Sequence, residues 1–144
     1  MSKKAVLVTG GFDPIHKGHI EYLREAKKLG DILYVGLNSD HWLTRKKGKP
    51  FMDLENRAMV IQSLDMVDEV IIFNDEDNSS CHAIEQTLLF YDEVIFANGG
   101  DRLISNIPEY EKYGNDKRVK FVCNVGGDKT ETVSYTHLTL PTKA

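Results

Sequence analysis

Short apolar runs alternate along this chain with segments whose apolar residues recur at helical spacing, a pattern that strand–helix–strand units satisfy and few other arrangements do. Ala5 to Thr9 is a run suited to a buried parallel strand. Ile20, Leu23, Ala26 and Leu29 then fall on one helical stripe, closed by Gly30. Ile32 to Leu37, Val70 to Phe73, Val94 to Ala97 and Val119 to Cys123 repeat the strand signature. Helical stripes stand between them at Leu54, Ala58, Ile61 and Leu64, and at Ile84, Thr87, Leu88 and Tyr91. Asn38-Ser39-Asp40 offers helix caps. Arg45 to Pro50 reads as a basic loop, and Asn74 to Ser80 as a polar one. The expected fold is a doubly wound, Rossmann-like parallel α/β sheet built from right-handed βαβ units.

Such a sheet holds its ligand beyond the carboxyl ends of the strands, near the point where strand order reverses. Three segments fall there: Gly10-Gly11-Phe12-Asp13, Asn38-Ser39-Asp40 and Asn98-Gly99-Gly100-Asp101. The 144 residues leave room for one domain with a sizeable core. A formal net charge of −4 argues against a general nucleic-acid binder. No apolar run approaches the ~20 residues of a bilayer span, and no signal-peptide pattern follows Met1-Ser2-Lys3-Lys4. Cys81 and Cys123 lack metal or redox spacing and read as buried, reduced thiols, which implies a cytoplasmic protein. The glycosylation-like Asn78-Ser79-Ser80 is then a chance match.

Most of the chemistry sits in the first loop. Gly10 and Gly11, directly after a buried strand, let the backbone turn sharply and approach a ligand. A helix starting near His16 to Gly18 would present free amides to that loop, a favourable anion site. His16 and His19 are three residues apart, on one side of the first turn, and Gly18 leaves space beside them. Two imidazoles there can donate hydrogen bonds to a phosphoryl group as its charge redistributes. They also admit blander readings, as surface or capping residues or as a zinc pair, although no third ligand is evident.

Gly11-Phe12-Asp13-Pro14-Ile15-His16-Lys17-Gly18-His19 resembles the HxGH signature of the cytidylyltransferase-like nucleotidyltransferase superfamily. The resemblance runs over roughly residues 3 to 132, through Asn38-Ser39-Asp40, Leu54-Glu55-Asn56-Arg57, Val67-Asp68-Glu69-Val70 and Gly99-Gly100-Asp101. It implies an enzyme in which a substrate phosphate attacks the α-phosphorus of a Mg2+-bound nucleoside triphosphate and pyrophosphate leaves. His16 and His19 would stabilise the transition state. Lys46, with Lys47 next, would contact phosphates, and Arg57 would bind the triphosphate. Gly10, Gly11, Phe12, Asp13, Gly18, Gly99, Gly100, Asp101 and Thr132 would complete the nucleotide site. Members often pair through the region matching Val67 to Val70, so a homodimer is implied too. Taken alone, Arg45 to Lys49 is a solvated loop, Arg57 a surface ion pair with Glu55, and Asp101 turn chemistry. Trp42, His41, His82 and His137 carry no motif.

Two branches compete. Glycerol-3-phosphate cytidylyltransferases carry an arginine where this chain has Asp65; heptose-1-phosphate adenylyltransferases are closer there, and in Asn38 to Asp40 and Pro50 to Arg57. A sugar phosphate is therefore the favoured acceptor, with ATP and CTP both open. A fragment of a class I aminoacyl-tRNA synthetase shares the two-histidine motif but would need a tRNA-binding region. Residues 133–144 show no helical pattern and read as a non-native tail after a 1–132 domain. A catalytically impaired nucleotide-binding module is the corresponding alternative.

Overall fold

The computed structural model describes residues 3–99, 107–123, 125 and 126. Gly100, Asp101, Thr132 and the 133–144 tail lie outside the described residues. Among the described residues five strands form one parallel sheet: β1 (Lys4–Gly10), β2 (Ile32–Leu37), β3 (Glu69–Ile72), β4 (Glu93–Ala97) and β5 (Val119–Val122). The helices described between them are α1 (Lys17–Lys27), α2 (Asp40–Lys47), α3 (Leu54–Gln62), α4 (Cys81–Leu88) and α5 (Pro108–Tyr113). The strand order β3-β2-β1-β4-β5 makes this the expected doubly wound α/β sheet. The chain winds outward from β1 to β3, then crosses back to place β4 on the other side of β1. The reversal therefore lies between the ends of β1 and β4.

Both faces of the sheet are covered, so successive residues of one strand serve different cores. Val6 and Val8 pack with Leu23, Ala26 and Ile61 on the α1–α3 side. Leu7 between them packs with Ile84, Phe96, Ile107 and Phe121 on the α4–α5 side. This two-sided burial explains why β1 reads as a continuous apolar run rather than an alternation.

The basic run departs from expectation. Arg45, Lys46 and Lys47 form the last turn of α2 rather than a loop, and the helix ends at Gly48, whose φ of +89° lies in the left-handed region. Lysine and arginine are good helix formers, and three cations suit the negative end of a helix. Ser39 caps the other end, its Oγ accepting the Trp42 amide at 3.0 Å. Helix α5, with Pro108 in its first turn, was not anticipated. Among the described residues no helix is long and apolar enough to cross a membrane. Cys81 and Cys123 are buried, as expected.

Asp68 shows what part of the matching pattern does for the fold. Its carboxylate accepts the Leu33 amide at 2.8 Å and pairs with Lys27 Nζ at 2.6 Å, pinning the end of α1 and the start of β2 to the start of β3. Because the strands are parallel, Val67 to Val70 and Asp65 stand at the amino end of the sheet, away from the β1–β4 carboxyl ends.

Candidate active site

A cleft of about 540 Å³ opens where β1 and β4 end, within the roughly 300–1,000 Å³ typical of small-molecule sites. The first loop supplies Gly10, Gly11 and Phe12; α1 supplies Gly18 and His19; Gly99 faces them from the end of β4. Six of the residues singled out in the sequence are thus brought together. His16 stands beside the cleft with its ring stacked on that of His19, centroids 3.9 Å apart and planes 29° off parallel.

The two imidazoles are held by the start of their own helix. The Gly18 amide donates to His16 Nδ1 at 3.1 Å, and the His16 amide donates to His19 Nδ1 at 3.2 Å. Amides expected to be free for an anion are therefore taken up by the rings. A ring nitrogen that accepts a hydrogen bond carries no proton, so the network assigns both neutral rings the tautomer with hydrogen on Nε2. The donating role passes from backbone to imidazole. Burial, and then the neighbouring charge of His16, hold the His19 pKa below the ordinary histidine value, which favours the neutral ring near pH 7. The Phe12 and His19 rings meet in a T-shaped contact with centroids 4.9 Å apart. A Cβ on Gly18 would come within 3.1 Å of His16 Cε1, so the glycine makes room for the His16 ring itself.

Three residues expected in the site lie elsewhere. Lys46 is exposed at the end of α2, with its ammonium 5.2 Å from the centre of the Trp42 ring. The Asp13 carboxylate turns away from the cleft. It accepts the Phe51 and Met52 amides, each at 2.6 Å, and pairs with Lys47 Nζ at 2.9 Å. Burial alone would raise its pKa, but Lys47 and the two amides outweigh burial and hold it below the usual carboxylate value. Arg57 is 1% exposed and pairs at 2.6 Å with Asp40, so it is neither a surface residue nor a partner of Glu55. Neither Asp13 nor Arg57 lines the cleft.

Sequence reasoning passed over Tyr22 and placed Asn98 in a strand-end segment without giving it a role; both line the same cleft. Tyr22 Oη donates to the Ala97 carbonyl at 2.6 Å, fastening α1 to the end of β4. Its backbone also meets the 125–126 turn. A Cβ on Gly126, whose φ is +81°, would come within 2.7 Å of Tyr22 Cα. The available signal was spacing, because Tyr22 follows His19 by three residues and shares its helix face. Asn98 Nδ2 is buried and has no hydrogen-bond partner among the described residues. An orphaned donor at a cleft wall suits a ligand acceptor.

The profile of the cytidylyltransferase-like family matches residues 7–138. "Bifunctional protein HldE" of Geobacter sulfurreducens is 37% identical over 136 residues, covering 91% of this chain and 26% of that protein. The protein of the same name from Blochmanniella floridana is 44% identical over 107 residues, 73% of this chain and 21% of that one. The chain thus spans about a quarter of the length of these relatives. Its fold is similar to the crystal structure of the lipopolysaccharide core biosynthesis protein from Thermoplasma volcanium GSS1, with a TM-score of 0.67, 28% identity, and coverage of 92% of this chain and 99% of that one. With its sheet order, its two-histidine helix start and this profile match, the chain belongs to the cytidylyltransferase-like family of nucleotidyltransferases.

Proposed function

We propose that this chain transfers a nucleoside monophosphate from ATP or CTP to a phosphorylated small molecule, a sugar phosphate first among candidates, with release of pyrophosphate. The observation that carries this reading is the paired-histidine start of α1 at the wall of the β1–β4 cleft, with Nδ1 of each ring occupied and Nε2–H left to donate. Such donors stabilise charge developing on a phosphoryl group, and phosphoryl-type transfer depends chiefly on positioning and on that stabilisation. Gly10, Gly11 and Gly99 are proposed to face the nucleotide through their backbone, their missing side chains leaving room for Phe12, Leu43 and Tyr22. Lys46 is proposed to contact its phosphates, and the family resemblance extends the proposed nucleotide contacts to Gly100, Asp101 and Thr132. The relatives named HldE, together with Asp65, favour the heptose-phosphate branch over the glycerol-phosphate one. The two buried cysteines, without metal or redox spacing, support a cytoplasmic setting, and the family resemblance supports a homodimer.

The resemblance also implies Mg2+. Among the described residues no group of three or more His, Cys, Asp or Glu is placed to hold a metal. The nearest carboxylates of the first loop and α2, Asp13 and Asp40, are committed to Lys47 and Arg57. These residues do not form a metal site, so Mg2+ is proposed to arrive on the triphosphate oxygens, and no step is assigned to a protein-bound ion.

The test is a pyrophosphate-release screen of the four nucleoside triphosphates, with Mg2+, against heptose 1-phosphate, other sugar phosphates and glycerol 3-phosphate. Release with ATP or CTP and a sugar 1-phosphate is expected. Glycerol 3-phosphate as the preferred acceptor would move the chain to the other branch. Tight nucleotide binding with no release would make it a binding module.

A further inference from the structure

We propose that Arg57 and Asp13 are positioning residues that clamp the first loop from within the protein and do not touch the nucleotide. The proposal departs from the triphosphate contact implied for Arg57 and the nucleotide contact implied for Asp13. It deepens the nucleotidyltransferase reading and rests on that reading only in the second arm of its test.

The guanidinium of Arg57 is already committed. Nε donates to the Met52 carbonyl at 3.0 Å, and Nη1 donates to the carbonyls of Gly11 and Asn38 at 3.1 and 2.7 Å. Nη2 donates to the Asp40 carboxylate at 2.6 Å. A guanidinium has five N–H groups, so these bonds take four of them, on a side chain with no exposed surface. A triphosphate could engage it only by displacing buried carbonyls and Asp40. Asp13 is committed in the same way, its side chain 1% exposed and its oxygens taken by two amides and an ammonium. An anion facing a triphosphate directly would repel it; this one faces the 51–52 backbone instead.

Met52 is where the two residues meet. Its N–H goes to Asp13 and its C=O to Arg57 Nε, while Arg57 Nη1 returns to Gly11. The result is a closed ring through Gly11, Asp13, Met52 and Arg57. Phe12 is the only residue between Gly11 and Asp13, and it holds a φ of +50°, a conformation that side-chain-bearing residues rarely adopt. Its ring is buried and meets His19. The clamp therefore acts through Phe12 on the imidazole at the cleft wall: it fixes the loop backbone, the loop fixes Phe12, and Phe12 bears on His19. Asp13→Asn would turn an amide N–H toward a backbone N–H, and Arg57→Gln would strip the Gly11 and Asn38 carbonyls of their shared donor.

The test uses the full chain as wild type and as Arg57→Gln, Asp13→Asn and Asp40→Asn. The first arm is amide hydrogen exchange. Faster exchange in residues 10–15, by about tenfold or more, is expected in Arg57→Gln and Asp13→Asn, with β4 unchanged. The second arm is calorimetric binding of ATP against AMP, and of CTP against CMP, each with Mg2+. The triphosphate-to-monophosphate affinity ratio is expected to stay within about threefold of wild type in every variant, well under the 1.4 kcal/mol of a tenfold change. A tenfold fall in that ratio for Arg57→Gln or Asp13→Asn overturns the proposal whatever the exchange shows, because it marks a direct phosphate contact. Unchanged exchange in residues 10–15 in both variants overturns it as well. If Arg57→Gln does not fold, Asp13→Asn and Asp40→Asn, which removes only the carboxylate partner of Arg57, carry the same two readouts. If wild type binds no nucleotide, the proposed function fails while the exchange arm still decides the clamp.

Discussion

Asp13 and His19 belong to one nine-residue motif and face opposite ways. Asp13 turns inward, where two amides and Lys47 saturate it. His19 stands at the cleft wall, with one ring nitrogen held by the backbone and the other left to donate. The same contrast separates Arg57, enclosed by four protein acceptors, from the histidine pair. The charges of Asp13 and Arg57 serve the scaffold, and the histidines beside the cleft offer neutral donors. The reason is physical. A charged group inside the protein is costly unless paired and hydrogen-bonded, and once so satisfied it has little left to offer a substrate. An imidazole has two nitrogens and can give one to each task.

The largest effect should separate these two sides. Replacing His16 or His19 by alanine is expected to lower the rate of pyrophosphate release by ~100-fold or more, the usual cost of losing a preorganised donor to a developing charge. Melting temperature should move little, since neither side chain is fully buried. A rate change under about threefold in both variants, with the wild type active, would show that the histidines are caps and nothing more.

A smaller effect should come from the other side. The folded-state pKa of Asp13 lies below its ordinary value, so the unfolded chain takes up the proton first as pH falls. Its contribution to stability is therefore complete above an unfolded pKa of about 4 and is lost as pH drops through the lower folded value. Urea melts between pH 3 and 6 should show wild type losing stability below about pH 4 more steeply than Asp13→Asn. Parallel curves would contradict the inward, ion-paired Asp13.

The fold was legible because it rests on periodicity. Continuous apolar runs at Ala5–Thr9 and Ile32–Leu37 matched strands buried on both faces, and Gly30 marked the end of a helical stripe. The last turn of α2 was not legible as helix, because Arg45 to Lys49 has no apolar stripe and the nearby Gly and Pro suggested a loop. Ser39 as cap and Gly48 as left-handed stop carried that information instead. In the site, residue type and spacing located the histidines and glycines but could not say which way a side chain faces. Arg57 read as a surface ion pair because its partner, Asp40, is 17 positions away and becomes a neighbour only when α2 and α3 pack beside the first loop. Tyr22 was hidden for a related reason: its acceptor is the Ala97 carbonyl, 75 positions on, in a strand whose place beside β1 follows from topology rather than local pattern.

The central claim is that His16 and His19 are neutral rings whose Nδ1 atoms accept backbone hydrogen bonds while Nε2–H is left to donate. Nitrogen-15 NMR of histidine-labelled protein near pH 7.5 observes this directly. The Nε2–H tautomer is expected at both residues, with His19 titrating below the ordinary histidine value of about 6.5 as pH is lowered. An Nδ1–H tautomer at either ring, or a His19 midpoint above 6.5, would contradict the account.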